Sequence, residues 1–285
     1  MDYIRILKRG AAAAATSYRL IIIMWLTALM MVLLVALPLK RILKGVFDRS
    51  LATERMLDGF DAGLAGDMGQ SFGYLFGAAT IGGLLLMLTG FLLFTFFAGG
   101  LFTRFAAAYG DLNVASFMKA SARNFFPFLI LALLMTLIIF AWTALIIGVP
   151  VGIMAAVTDG AMTGSNLMRI PFLIWALGMP VWLLVADHSR RWMAATGSGK
   201  VFRAMGAGFG SLKRKFLRSY GAMLTVMIVN VLFFGAALWI AAWSVPERGG
   251  MIFLFFLATQ LMFLIRLLLK SWRYAVVSEL ALLPA

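Results

Sequence analysis

Cysteine is absent from this 285-residue chain, and with it go disulfides, thiolate metal sites and cysteine nucleophiles. Histidine occurs once, at His188, so no site that needs two imidazoles can be built. Acids are scarce: eleven Asp and Glu stand against 25 Lys and Arg. Charged residues make up 13% of the chain, about half the share usual in a soluble domain, while 63% are hydrophobic. With a mean hydropathy of +0.99, the chain is not a soluble globular domain.

What is present is a series of charge-free runs, at residues 20–39, 72–103, 124–158, 170–186, 219–246 and 249–265. About 20 apolar residues cross a bilayer as one helix, so the pattern predicts six transmembrane helices in an all-α polytopic fold, with the third run broken at Pro150. The basic start (Arg5, Lys8, Arg9) precedes an apolar run too long for a signal peptide and without a small-x-small cleavage site, which reads as an uncleaved first span. All eleven acids fall in the loops, tails or span ends of this layout. Proton- or sodium-coupled transport normally needs a carboxylate inside the membrane, so that class is disfavoured.

The formal net charge of +14 is distributed unevenly. Residues 1–19, 99–123, 187–218 and 266–285 carry 18 Lys/Arg and 4 Asp/Glu, whereas 40–71, 159–169 and 247–248 carry 7 of each. Basic loops stay cytoplasmic, which places both termini inside a bacterial inner membrane and makes anionic phospholipid headgroups, not nucleic acid, the partner of the basic surplus.

A threefold internal repeat is expected within this single integral membrane domain, with units of about 1–103, 112–188 and 200–272. Each odd span is preceded by a cationic interfacial segment: IRILKRGAAAAATSYR, SFMKASARNFF and VFRAMGAGFGSLKRKFLR. Each ends at an apolar-Pro pair, Leu37-Pro38, Val149-Pro150 or Val245-Pro246. The third unit is the clearest, with Lys200, Arg203, Lys213, Arg214, Lys215 and Arg218 poised to hold anionic lipid where the fifth span enters the bilayer. The outer loop 40–71 places Leu43, Val46, Phe47, Ser50 and Leu51 on one face of an amphipathic helix. Asp58, Asp61 and Asp67 within it match no calcium-loop spacing.

Candidate chemistry inside the membrane is sparse. Thr89, Asn230 and Gln260 are polar residues within spans, and Asn230 is expected to bond to a neighbouring helix because lipid offers no partner. Gly77, Gly82, Gly83 and Gly90 are expected to let helices approach closely. Asp187-His188-Ser189 sits where the fourth run ends and reads as a helix-terminal polar cap, because consecutive helical residues diverge by about 100° and cannot converge as a triad. The stretch 196–200, TGSGK, lacks the first glycine of a phosphate loop and reads as a flexible linker. No metal site and no cofactor are expected.

The phrases LPLKRILKGVFDRSL, GLAGDMGQ and SFMKASARNFFPF, set in this six-span layout, resemble a group of bacterial multi-pass proteins. That group is similar in layout to the membrane region fused to some glycerophosphodiester phosphodiesterases. The resemblance covers most of the chain and implies the same membrane architecture. The phosphodiesterase catalytic domain has no counterpart here, so the resemblance implies no catalytic residue. The expectation is a non-enzymatic membrane protein that organises lipid or docks partner subunits. The alternative is a passive permease, channel or lipid-handling transporter component with a cavity lined by Thr89, Asn230 and Gln260.

Overall fold

The computed structural model describes residues 2–47, 69–107, 113–157, 168–243 and 249–282. Among these residues nearly all are helical and no strand occurs. In chain order they form α1 (Asp2–Thr16), α2 (Tyr18–Phe47), α3 (Gly69–Ala106), α4 (Val114–Thr143), a π-helical turn (Ala144–Gly148), α5 (Val149–Val157), α6 (Arg169–Thr196), α7 (Val201–Arg214), α8 (Phe216–Trp243) and α9 (Gly249–Leu282). Six stretches are long and apolar enough to cross a membrane: Tyr18–Ile42, Phe76–Ala106, Val114–Met154, Arg169–Thr196, Phe216–Ala242 and Gly250–Leu282. The chain is an all-α polytopic membrane protein. In hydrocarbon every backbone N–H and C=O must pair internally, which a helix achieves within one segment.

Several helices run past the ends that charge and proline suggested. Pro38 does not stop α2, so residues 40–47, expected to begin the outer loop, extend the first spanning helix. The rest of that loop, 48–68, lies outside the described residues, and with it Ser50, Leu51, Asp58, Asp61 and Asp67. Pro150 does not break the third run either. The chain stays helical through the π turn just before it, where the Val149 N–H bonds the Ala144 carbonyl five residues back. A proline costs one ladder bond, and a wider turn absorbs the misfit without ending the helix. Likewise α6 continues past residue 186 to Thr196, and α9 past residue 265 to Leu282. Charged side chains need not end a helix when other parts of the protein can receive them.

Contacts divide the chain into two compact units, Ile23–Phe94 and a larger unit made of Met1–Ile22 with Thr95–Ala285. In the smaller unit, only one of the four expected close-approach glycines acts as one. A Cβ on Gly82 would stand 2.8 Å from Val35 Cγ1, whereas one on Gly77, Gly83 or Gly90 would meet nothing within 4 Å.

In the larger unit the buried side chains gather at one end of the long helices. They come from the end of α3 (Phe97, Phe102), the first half of α4 (Phe117, Phe128), the second half of α6 (Leu184, Met193), the start of α8 (Ala222, Val226) and the end of α9 (Tyr274, Val276). Phe97 stacks on Phe117 with centroids 6.0 Å apart, and the Phe102 ring lies 4.5 Å from that of Tyr274. At the opposite ends of α6, α8 and α9, Leu173, Leu177, Leu232, Trp239, Phe253 and Leu254 are exposed, as residues facing acyl chains would be.

α1 is docked on this buried end. Ile6 packs into a cluster with Ala222, Val226, Val276 and Leu280. A Cβ on Gly10 would stand 2.6 Å from Val276 Cγ2, so only glycine fits without movement. Tyr3 Oη donates to the Gly221 carbonyl at 2.8 Å and shares a short contact with the Thr225 hydroxyl, while Trp272 Nε1 donates to the Leu7 carbonyl at 3.0 Å. The three cationic segments are therefore built differently. The first and third form the separate helices α1 and α7, but SFMKASARNFF belongs to the unbroken helix α4 and is not a distinct interfacial element.

Candidate anion-binding pocket

The site begins with how α6 ends. Gly197 adopts the left-handed conformation (φ 67°), which favours glycine, and its N–H caps the Met193 carbonyl at 2.8 Å. After this turn α7 packs along α6 through Val201, Ala204, Gly208 and Leu212, a stripe of helical periodicity. Gly208 sets the separation: a Cβ there would lie 2.4 Å from Ser189 Oγ and 2.8 Å from the Val185 carbonyl oxygen. Phe209 adds an edge-to-face contact with Trp182, centroids 6.3 Å apart. α7 ends at Arg214, Lys215 forms the joint, and α8 starts at Phe216.

Where these ends meet α9 lies a cleft of about 250 Å³, lined by His188, Arg191, Ser211, Arg214, Lys215, Leu280 and Ala281. One wall comes from α6, with His188 and Arg191 one turn apart. The other comes from the end of α7, with Ser211 and Arg214 one turn apart and Lys215 adjoining. His188 is 5% exposed, and its Nε2, like the Nε of Arg191, is buried without a hydrogen-bond partner among the described residues. Lys215 Nζ donates to the Leu280 carbonyl at 3.3 Å, and Arg214 Nε to the Gly210 carbonyl at 3.3 Å. The lysine is held below its ordinary pKa, chiefly by burial and then by the nearby charges of Arg191, Arg214 and Arg218. A bound anion would relieve the repulsive part of that shift.

Behind the cleft α6 is fastened to α9 by charge. Asp187, fully buried, accepts at Oδ1 from Arg190 Nη1 at 2.9 Å and from Arg273 Nη2 at 3.5 Å, and its Oδ2 lies 2.9 Å from Arg273 Nε in an ion pair. The Arg273 guanidinium also sits 5.0 Å from the centre of the Tyr274 ring. These facts correct the reading of Asp187-His188-Ser189 as a terminal cap. All three are buried well before the helix ends, and each has its own surroundings: Asp187 between two arginines, His188 at the cleft, Ser189 bonded to the Val185 carbonyl at 2.6 Å. The view that every acid lies in a loop, tail or span end changes with them, since Asp187 and Glu279 are buried inside the long helices α6 and α9. Among the described residues, His, Asp and Glu form no group of three that could hold a metal.

Of the six cations singled out in the sequence, the cleft brings together two, Arg214 and Lys215. Lys200, Arg203, Lys213 and Arg218 are exposed. His188, Arg191 and Ser211 were missed, although the spacings 188/191 and 211/214/215 place each set on one helical face. The polar residues within spans are also redistributed. Asn230 donates to the Val226 carbonyl of its own helix at 2.8 Å, so the expected bond to a neighbour is not made. One amide N–H can pair with the carbonyl one turn back, which lowers the cost of holding the side chain in lipid. An amide that does reach another helix is Asn124, 5% exposed, whose Nδ2 donates to Thr103 Oγ1 at 3.0 Å and to the Gly99 carbonyl at 3.4 Å. Thr89 donates to the Leu85 carbonyl at 2.6 Å, and Gln260 is half-buried on α9. An apolar cavity of about 270 Å³ between α8 and α9 is lined by Ala237, Ile240, Ala241, Met251, Leu254, Phe255, Ala258, Thr259 and Met262, and by none of the three. No protein-family model, curated protein or solved structure matches this chain.

Proposed function

We propose that this is a non-enzymatic integral protein of a bacterial cytoplasmic membrane, with both termini in the cytoplasm, that organises anionic phospholipid and docks partner membrane subunits. The observation that carries the reading is the cleft where His188, Arg191, Ser211, Arg214 and Lys215 converge. Two arginines and a lysine, from α6, α7 and the joint that follows α7, meet there. Guanidinium groups keep their charge and form paired hydrogen bonds with phosphate oxygens, so a headgroup phosphate is the natural occupant. The 18:4 against 7:7 charge split supports a cytoplasmic position for that end. The resemblance in layout to a phosphodiesterase-associated membrane region adds no catalytic group. A permease reading would need polar groups turned to a shared path, and Asn230 and Thr89 each donate to a carbonyl of their own helix.

Native mass spectrometry of the protein released from mild detergent tests the reading. Wild type should retain anionic phospholipid, and a variant with Lys213, Arg214, Lys215 and Arg218 all changed to Gln should retain less, each cation being worth about 1 kcal/mol at an anionic surface. Equal retention would leave the basic surplus as a topology signal alone. Topology is checked separately in the cysteine-free background: a cysteine at Ala65 should react with an impermeant thiol reagent in intact cells, and one at Ser198 should not.

A further inference from the structure

We infer that the cleft between the ends of α6, α7 and α9 is specific for a phosphate monoester, a dianionic headgroup such as that of phosphatidic acid, over the phosphodiesters of ordinary anionic lipids. The inference rests on the reading of this cleft as a phosphate site and deepens it. Charge is the first argument. Arg191, Arg214 and Lys215 line the cleft and Arg218 acts on Lys215 from beside it, four formal positive charges against which Glu279, acting on Arg191, sets one. A dianion offsets more of that excess than the single charge of a diester does.

Donor count is the second argument. Five side chains capable of donating line the space: His188, Arg191, Ser211, Arg214 and Lys215. A diester presents two terminal oxygens and a monoester three, so the monoester accepts from more of them at once. His188 Nε2 and Arg191 Nε are buried without a hydrogen-bond partner among the described residues, and so have donor or acceptor capacity that those residues do not use. A space of about 250 Å³, below the roughly 300–1,000 Å³ of pockets that enclose whole drug-sized ligands, is the scale of a headgroup, so charge and donor number carry the choice between the two esters. The second pKa of a phosphate monoester is about 6, so the dianion is the main form at neutral pH.

Such a phosphate could reach the cleft on a lipid or free in solution, and the test separates the two. The full chain in phosphatidylcholine nanodiscs is offered equal amounts of phosphatidic acid and phosphatidylglycerol, and bound lipid is read by native mass spectrometry. Wild type should prefer phosphatidic acid by about tenfold or more, the worth of one further charge-assisted hydrogen bond. Arg191→Gln and the more exposed Arg214→Gln should each bring the ratio close to one. Retention of both lipids in equal amounts overturns the monoester inference and leaves the headgroup reading standing. Retention of neither overturns the headgroup reading as well. A preference that survives both substitutions overturns the assignment to this cleft. Thermal protection by inorganic phosphate in the absence of phosphatidic acid binding supports the monoester chemistry with a soluble source and overturns the lipid one.

Discussion

α1 and α7 start from nearly the same material. Each is a short, amphipathic, Gly- or Ala-rich helix with three basic residues, Arg5, Lys8 and Arg9 in one and Arg203, Lys213 and Arg214 in the other. Each buries its small-residue stripe against longer helices, with a glycine at the closest point, Gly10 on Val276 and Gly208 on Ser189. Of the two, α7 lines the cleft of about 250 Å³. Its last turn holds Lys213 and Arg214, whereas the last turn of α1 holds no base. The end of α1 instead receives Arg104 from α3, which donates to the Thr16 carbonyl at 3.2 Å. Position along the helix, more than the number of cations, decides whether a docked basic helix makes an anion site. A cation at the end of a helix is also favoured by the helix dipole, so the basic end of α7 costs little to keep.

The heaviest blow to this arrangement should fall behind the cleft, at Asp187. Changing it to Asn removes the carboxylate that two arginines share and leaves their charges uncompensated. Removing one partner of a buried ion pair costs about 3–5 kcal/mol. Asp187→Asn should therefore unfold far more readily in detergent and lose the α7 pocket, while Asp187→Leu combined with Arg273→Leu should recover much of the loss. Equal instability of the single and double variants would mean that shape at the α6–α9 seam matters more than charge there.

Next in size are the two glycines, which separate the roles of the two helices. Gly208→Ala and Gly10→Ala each force a methyl into occupied space, and overpacking of this kind costs about 1–3 kcal/mol. Similar stability losses are expected from both. Retention of anionic phospholipid should fall only in Gly208→Ala, because α7 carries a wall of the cleft and α1 does not line it. Loss of lipid in Gly10→Ala as well would place α1 in the binding function.

The pair Asn124 and Asn230 shows how far the sequence could be read. The six helices were legible because apolar runs of about 20 residues leave few alternatives in a membrane. The cleft was only half legible. Arg214 and Lys215 stood out as a charge run, but His188 and Arg191 seemed to lie beyond the end of a span, because charge-free runs mark where charges begin and not where helices stop. The buried end of the larger unit accommodates charge through pairing, which no local pattern announces. The amides were misjudged for a related reason: depth within a run says where a residue sits along its helix but not which face meets a neighbour. Asn124→Leu should thus cost about 0.6 kcal/mol and up to about 1.7, the range of hydrogen bonds between membrane helices. Asn230→Leu should cost less, since its bond stays within one helix. Thermal unfolding of the two variants side by side checks the order, and the reverse order would restore Asn230 as a helix-to-helix contact.

The smallest expected effect is a pH dependence at Lys215. Its pKa is lowered in the folded protein, by burial first and then by Arg191, Arg214 and Arg218. Between that lowered value and the ordinary lysine value of about 10.4, the unfolded chain keeps a proton that the folded chain has released. Stability rises with pH across this window, and below it the penalty of the charged lysine is present in full. At neutral pH the ligand-free cleft therefore carries an electrostatic cost that a bound anion removes. Ligand-free Lys215→Gln should lack the alkaline rise seen in wild type, and Lys8→Gln, on the outward face of α1, should keep it. Phosphatidic acid at pH 7 should in turn stabilise wild type more than Lys215→Gln. Thermal unfolding of the three proteins from pH 7 to pH 10 reads all of this, and superimposable profiles would uncouple Lys215 from the cleft and reduce the difference between the two helices to geometry.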